Sequence, residues 1–226
     1  MVKISPQAPA NPTAEQILEK YVQACGGRAA IGGLISRVSK GRRMYSNGSV
    51  EWFELYLKAP DKWLAIYKTD KSMERYGFDG SRGWFDAHWP DISKLPREVD
   101  LYTPLRLREW YPDMKFVGIA RVEDRTTYVT EGSWSGRPPD RYYFDAETGL
   151  LLRQDDRART TVSRGSDSKT QETANKPVEY YFSQYRSVKG VKLPFVVRRK
   201  DSSGVRTEIF HEIRHDVPIP DSKFWR

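Results

Sequence analysis

The pentapeptide His211-Glu212-Ile213-Arg214-His215 lies eleven residues from the C-terminus and spells H-E-x-x-H. On a helix, two histidines four apart share one face, hold a zinc ion between their imidazoles and leave the glutamate to activate a water. That chemistry needs the helix and a third ligand. The flanking residues read instead as a strand, with β-branched Val205, Thr207 and Ile209 at alternate positions. Strict alternation puts His211, Ile213 and His215 on the face of Val205, Thr207 and Ile209. Arg206, Glu208, Glu212 and Arg214 take the other face, so Glu212 cannot serve either histidine as a base. No histidine or cysteine follows His215, and the one other histidine is His88. The expectation is no catalytic residue and no metal.

Other covalent chemistry has no better footing. No G-x-S-x-G elbow, phosphate-binding loop or dinucleotide fingerprint occurs. Cys25, the lone cysteine, ends a helix in Gln23-Ala24-Cys25-Gly26-Gly27, where the dipole disfavours a thiolate. Asp155 and Asp156 read as solvated loop carboxylates. The residues describe a non-enzymatic binding protein without a cofactor.

The elements that must carry any binding surface follow from the pattern. Residues 1–12 form a Pro-rich tail ahead of a single domain over 13–226, with a polar loop at 156–177. Thr13 and Gln16 make a capping box, Ile17, Leu18, Tyr21 and Val22 the apolar stripe, and Gly26-Gly27 the stop. A second short helix is expected over Arg28 to Leu34, and a third over Leu101 to Tyr111 with Pro104 in its first turn. From Ser36 the texture is strand and turn. Asn47-Gly48 predicts a two-residue type I′ hairpin, and Gly149 a left-handed turn position. The sum is two or three helices and nine to eleven antiparallel strands in a curved meander.

With 226 residues, 38% apolar and 13% aromatic, the chain can bury a full core. No run of about 18 apolar residues occurs, and the N-terminal residues lack an apolar leader segment. Taking Met1 as the start, the expectation is a cytoplasmic protein, peripheral on the membrane; if Met1 is not the native start, a periplasmic one. Net charge is +8, which suits a partner of opposite sign: an acidic protein surface, an anionic membrane surface, a membrane protein complex or nucleic acid. Bases interleaved with acids and the lack of any nucleic-acid-binding spacing argue against nucleic acid. The candidate docking cations are Arg42, Arg43, Arg157, Arg159, Arg164, Arg198, Arg199 and Lys200. Successive aromatics such as Tyr142-Tyr143-Phe144 and Tyr180-Tyr181-Phe182 must point to both faces of a sheet. One face is then covered by the N-terminal helices, the other by a ligand, a partner or solvent. Trp52, Tyr56, Trp63, Tyr67, Trp84 and Tyr128 are the candidate lining of a hydrophobic cavity.

Several stretches resemble, in order, a large group of bacterial proteins similar to outer-membrane lipoprotein-sorting proteins of the Lol type. They are AEQILEKYVQACGGRAAI from Ala14, YLKAPDKW from Tyr56, GFDGSRGW from Gly77, LYTPLRLREWYP from Leu101, YYFDAETGLLLR from Tyr142, YRSVKGVKLPFVVR from Tyr185 and HDVPIPDSKF from His215. The resemblance spans nearly all of 14–226, and FDAETGLLLR followed by YRSVKGVKLPF is its most specific part. It implies an α+β, mainly antiparallel fold: a curved, unclosed LolA/LolB-like half-barrel, with the N-terminal helices and a short inserted helix on its concave side. Lol-type proteins hold acyl chains there and perform no covalent chemistry. By analogy of fold, a half-barrel also suits a small accessory subunit of a type I photosynthetic reaction centre. The leading expectation is thus a basic scaffold subunit docking onto a larger membrane complex, possible acyl or hydrophobic ligands aside. The alternative is a carrier of lipoprotein, lipid or another hydrophobic ligand; a zinc hydrolase stands last.

Overall fold

Thr13 caps α1 (Ala14–Ala24) reciprocally: Gln16 N donates to the Thr13 hydroxyl at 3.2 Å, and Thr13 N donates to Gln16 Oε1 at 2.9 Å. The computed structural model describes residues 11–85, 100–134, 138–157 and 177–226. The stripe Ile17, Leu18, Tyr21 and Val22 is buried as its spacing requires. The short helix α2 (Gly27–Gly32) begins one residue earlier than expected and stops two earlier. At its entrance Gly26 has φ +121°, and a Cβ there would sit 2.2 Å from Gly190 O. Only glycine allows that approach. A third helix, α3 (Thr103–Trp110), carries Pro104 in its first turn.

Among the described residues, twelve strands form one antiparallel sheet, more than the nine to eleven expected. They are β1 (Ser36–Tyr45), β2 (Val50–Lys58), β3 (Lys62–Lys68), β4 (Met73–Phe78), β5 (Gly83–Phe85), β6 (Lys115–Val122), β7 (Arg125–Gly132), β8 (Asp140–Asp145), β9 (Leu151–Asp156), β10 (Val178–Val188), β11 (Val191–Asp201) and β12 (Gly204–His215). The order is β5-β4-β3-β2-β1-β12-β11-β10-β9-β8-β7-β6, so β1 pairs with the last strand and the two edges never meet. The sheet is an unclosed half-barrel, with the described α-helices α1, α2 and α3 on its concave side.

Two turns show how local chemistry decides geometry. Gly149 takes φ +78° and donates to Asp145 O at 2.9 Å, as its turn signal predicts. The Asn47-Gly48 hairpin differs from expectation. Gly48 has φ +83° and Asn47 does not share that region. Asn47 Oδ1 instead accepts from Ser49 N at 3.0 Å and Ser49 Oγ at 2.7 Å. That side-chain turn holds a longer loop, closed by Tyr45 N to Ser49 O at 3.0 Å.

The main core lies between the concave face and the helices, with Ile31, Trp63, Tyr111 and Phe144 all at 0–1% exposure. A second core covers part of the convex face. Val38 and Leu64 pack there with Ile219 and Phe224, joined by Tyr56, Ile66, Trp84 and Val217. The C-terminal 3₁₀ helix Asp221–Phe224 is strapped on by Trp84 Nε1, which donates to Phe224 O at 2.6 Å. Asp221 adds ion pairs to Lys58 and Lys62 at 2.6 and 2.9 Å. The second face is thus partly covered by the chain's own terminus, a solution outside the expected choice of ligand, partner or solvent.

Candidate functional site

The H-E-x-x-H residues lie in β12, and a β-bulge separates their histidines. Lys40 is in register with Glu212, and Gly41 with Phe210, so His211 is the extra residue. Gly41 permits the bulge: a Cβ there would meet Ile209 O at 2.4 Å and the Phe53 ring at 2.5 Å. The slip corrects the strict alternation expected. His211 is exposed on the convex face, its ring 5.5 Å from that of Trp52. His215 is 3% exposed on the concave face. Glu212 pairs with Arg214 at 2.6 Å, away from His215. Among the described residues, no group of three or more His, Cys, Asp or Glu is placed to hold a metal. His88 lies outside them.

His215 is held as a neutral imidazole. Arg37 Nε can only donate, so His215 Nε2, 3.1 Å away, accepts. The proton then sits on Nδ1, which donates to Val188 O at 3.1 Å. Burial first, and the Arg37 charge second, push the imidazole pKa down to about 4. Cys25 is 2% exposed, and burial pushes its thiol up to about 12. It is a packing residue.

The concave face is the apolar site. Of the six expected lining residues, Trp63, Tyr67 and Tyr128 belong to its core. Trp52, Tyr56 and Trp84 do not: alternation along β2 gives the inner face to Phe53, Leu55 and Leu57, and Trp84 packs under Phe224. Sequence reasoning missed Tyr76, Phe78 and Phe116, whose orientation depends on register. Tyr67 and Tyr76 stack with centroids 5.5 Å apart, and Phe116 meets Tyr128 edge-on at 6.1 Å. These five rings are half-buried, so the inner wall extends beyond what the helices cover. Two polar atoms on this wall, Trp63 Nε1 and Thr130 Oγ1, are buried without a hydrogen-bond partner among the described residues.

The expected docking cations are divided by strand alternation. Arg43 turns inward, 4.2 Å above the Tyr67 ring, and reaches Glu208 at 2.9 Å and Glu51 at 3.3 Å. Burial opposes its charge, but Tyr67, Glu208 and Tyr45 outweigh burial and hold the guanidinium protonated. Arg199 pairs with Asp201 at 2.5 Å. On the outer face, Arg42 is exposed, Arg198 lies 4.6 Å over Tyr181 and 3.6 Å from Glu123, and Lys200 lies 3.7 Å from Glu179. Arg157 is half-buried, its backbone N–H on Asp140 at 3.1 Å. Arg159 and Arg164 lie outside the described residues.

An open antiparallel half-barrel plugged by helices on its inner side is the fold of the LolA superfamily, and the chain has that fold. It is similar to the solved structure of a LolA superfamily protein from Nitrosomonas europaea, with 11% identity and a TM-score of 0.58 over 96% of this chain and 99% of that one. A domain described as an outer membrane lipoprotein-sorting protein, from Vibrio parahaemolyticus, gives 12% identity and 0.58 over 92% and 97%. A DUF1329 family protein from Desulfovibrio piger gives 12% and 0.56 over 93% and 96%. No protein-family model and no curated protein matches the chain.

Proposed function

We propose that the chain is a non-catalytic carrier of a lipid, a lipoprotein acyl group or a similar hydrophobic ligand, bound between the concave sheet face and the helices. One observation carries this reading: the inner wall exposes half-buried aromatic rings past three helices of eleven, six and eight residues. Such a wall gains free energy from any apolar chain laid on it. A ligand enters where a short helix gives way: α2 and α3 each bury a single residue, Ile31 and Leu107, against five in α1. A guest with ester or amide oxygens would also give the Trp63 indole N–H an acceptor.

The likeness to a lipoprotein-sorting domain supports the carrier over the scaffold-subunit reading. It lends no support to a reaction-centre subunit or to a cytoplasmic location. The test is titration with cis-parinaric acid. Saturable binding is expected, weakened about ten-fold or more by Tyr76→Asp, which puts a charge on the apolar wall. A chain that binds no acyl probe, and carries no lipid when isolated without detergent, is not a carrier.

A further inference from the structure

Of the nine large apolar side chains that stand exposed among the described residues, five gather at one end of the convex face: Met44, Val50, Trp52, Met73 and Val205. The pairing register explains the gathering. Met73, Lys68, Trp52, Arg42 and Ile209 form one row across β4, β3, β2, β1 and β12. Val50, Met44, Thr207 and Arg198 form the next, across β2, β1, β12 and β11. Apolar residues and cations thus interleave, and neither row contains a carboxylate. The tips of the β1–β2, β3–β4 and β11–β12 hairpins lie at the same end, because Tyr45 is opposite Arg206 and Trp52 opposite Lys68.

We propose that this end of the convex face docks the protein onto an anionic lipid surface, with Trp52 at the level of the headgroups. A tryptophan 54% exposed, flanked in register by Arg42 and Lys68, matches the chemistry of a bilayer interface. The net charge of +8 draws the chain to such a surface. A protein partner fits less well, because a convex sheet and its hairpin tips form no cleft to seat an anchoring side chain. A second copy meeting the patch across a two-fold axis would bring Arg42 and Lys68 against their own equivalents. The inference does not rest on the carrier reading, since Trp52 faces away from the helices.

The experiment is co-sedimentation of the full chain with vesicles of phosphatidylcholine and phosphatidylglycerol at 7:3, and with phosphatidylcholine alone. Binding is expected on the anionic vesicles and should weaken as salt rises. Arg42→Gln with Lys68→Gln should cost about 25-fold, roughly five-fold for each cation near an anionic surface. Trp52→Ala should cost about ten-fold. Ile119→Ala, which removes an exposed apolar side chain on the edge strand β6, should bind as the parent does. All four substitutions are at exposed positions, and unchanged circular dichroism confirms folding. Equal binding to both vesicle types overturns the proposal, as do patch variants that bind like the parent. Self-association, or binding to an acidic protein in place of vesicles, lost in Trp52→Ala overturns it in favour of a protein interface. Parinaric acid binding in the patch variants reports the carrier reading separately.

Discussion

Arg37 and His215 face each other across the β1–β12 pairing, guanidinium Nε to imidazole Nε2 at 3.1 Å. One stays charged, with burial lowering its pKa to about 10, and the other stays neutral. The pair closes the sheet's central seam, where the first strand meets the last. Arg37 also reaches Leu101 O at 3.4 Å, tying the seam to the segment that leads into α3.

This contact makes stability depend on pH in a predictable direction. His215 titrates near 6.5 in the unfolded chain and at about 4 when folded. The unfolded state therefore binds more protons in that window, and stability rises with pH. The contribution is fully present above pH 6.5 and is lost as pH falls toward 4. Its size is about 3 kcal/mol. Urea midpoints measured from pH 7 to pH 4.5 should fall more steeply for the parent than for His215→Gln. Parallel slopes would remove His215 from the account.

Gly41→Ala should destabilise by about 2–4 kcal/mol, because its new methyl meets a backbone carbonyl and the Phe53 ring. Thermal unfolding measures the loss. An unchanged melting temperature would mean that the bulge at His211 does not depend on a bare backbone at Gly41.

Thr130 is fully buried, and its hydroxyl has no partner among the described residues. Thr130→Val keeps the shape and removes the orphan group, so it should stabilise by about 1 kcal/mol or more. A loss of stability in urea unfolding would show that the hydroxyl is satisfied in solution.

Phe224, at 0% exposure, anchors the C-terminal strap against Trp84 and Val38. Phe224→Ala should cost about 3–5 kcal/mol. Faster exchange of the β3 and β4 amides would accompany it. Exchange unchanged in those strands would mean that the strap only rests on the convex face.

Much of the fold was legible in local chemistry. The Thr13–Gln16 cap, the α1 stripe, Pro104 in α3 and the turn at Gly149 each depend on residues within a few positions of one another, and each formed as read. The strand character of the H-E-x-x-H segment came from Val205, Thr207 and Ile209 alone. What only tertiary structure decided was which way the strands face. A single bulge at Gly41 moved His211 to the opposite side from His215, and register sent Trp52, Tyr56 and Trp84 outward while Tyr76, Phe78 and Phe116 turned in. Side-chain direction in a strand has period two, so one inserted residue reverses every position beyond it. The Ile209 carbonyl and the Phe53 ring, which leave room only for glycine at position 41, lie on the two strands that flank β1, out of reach of any local pattern.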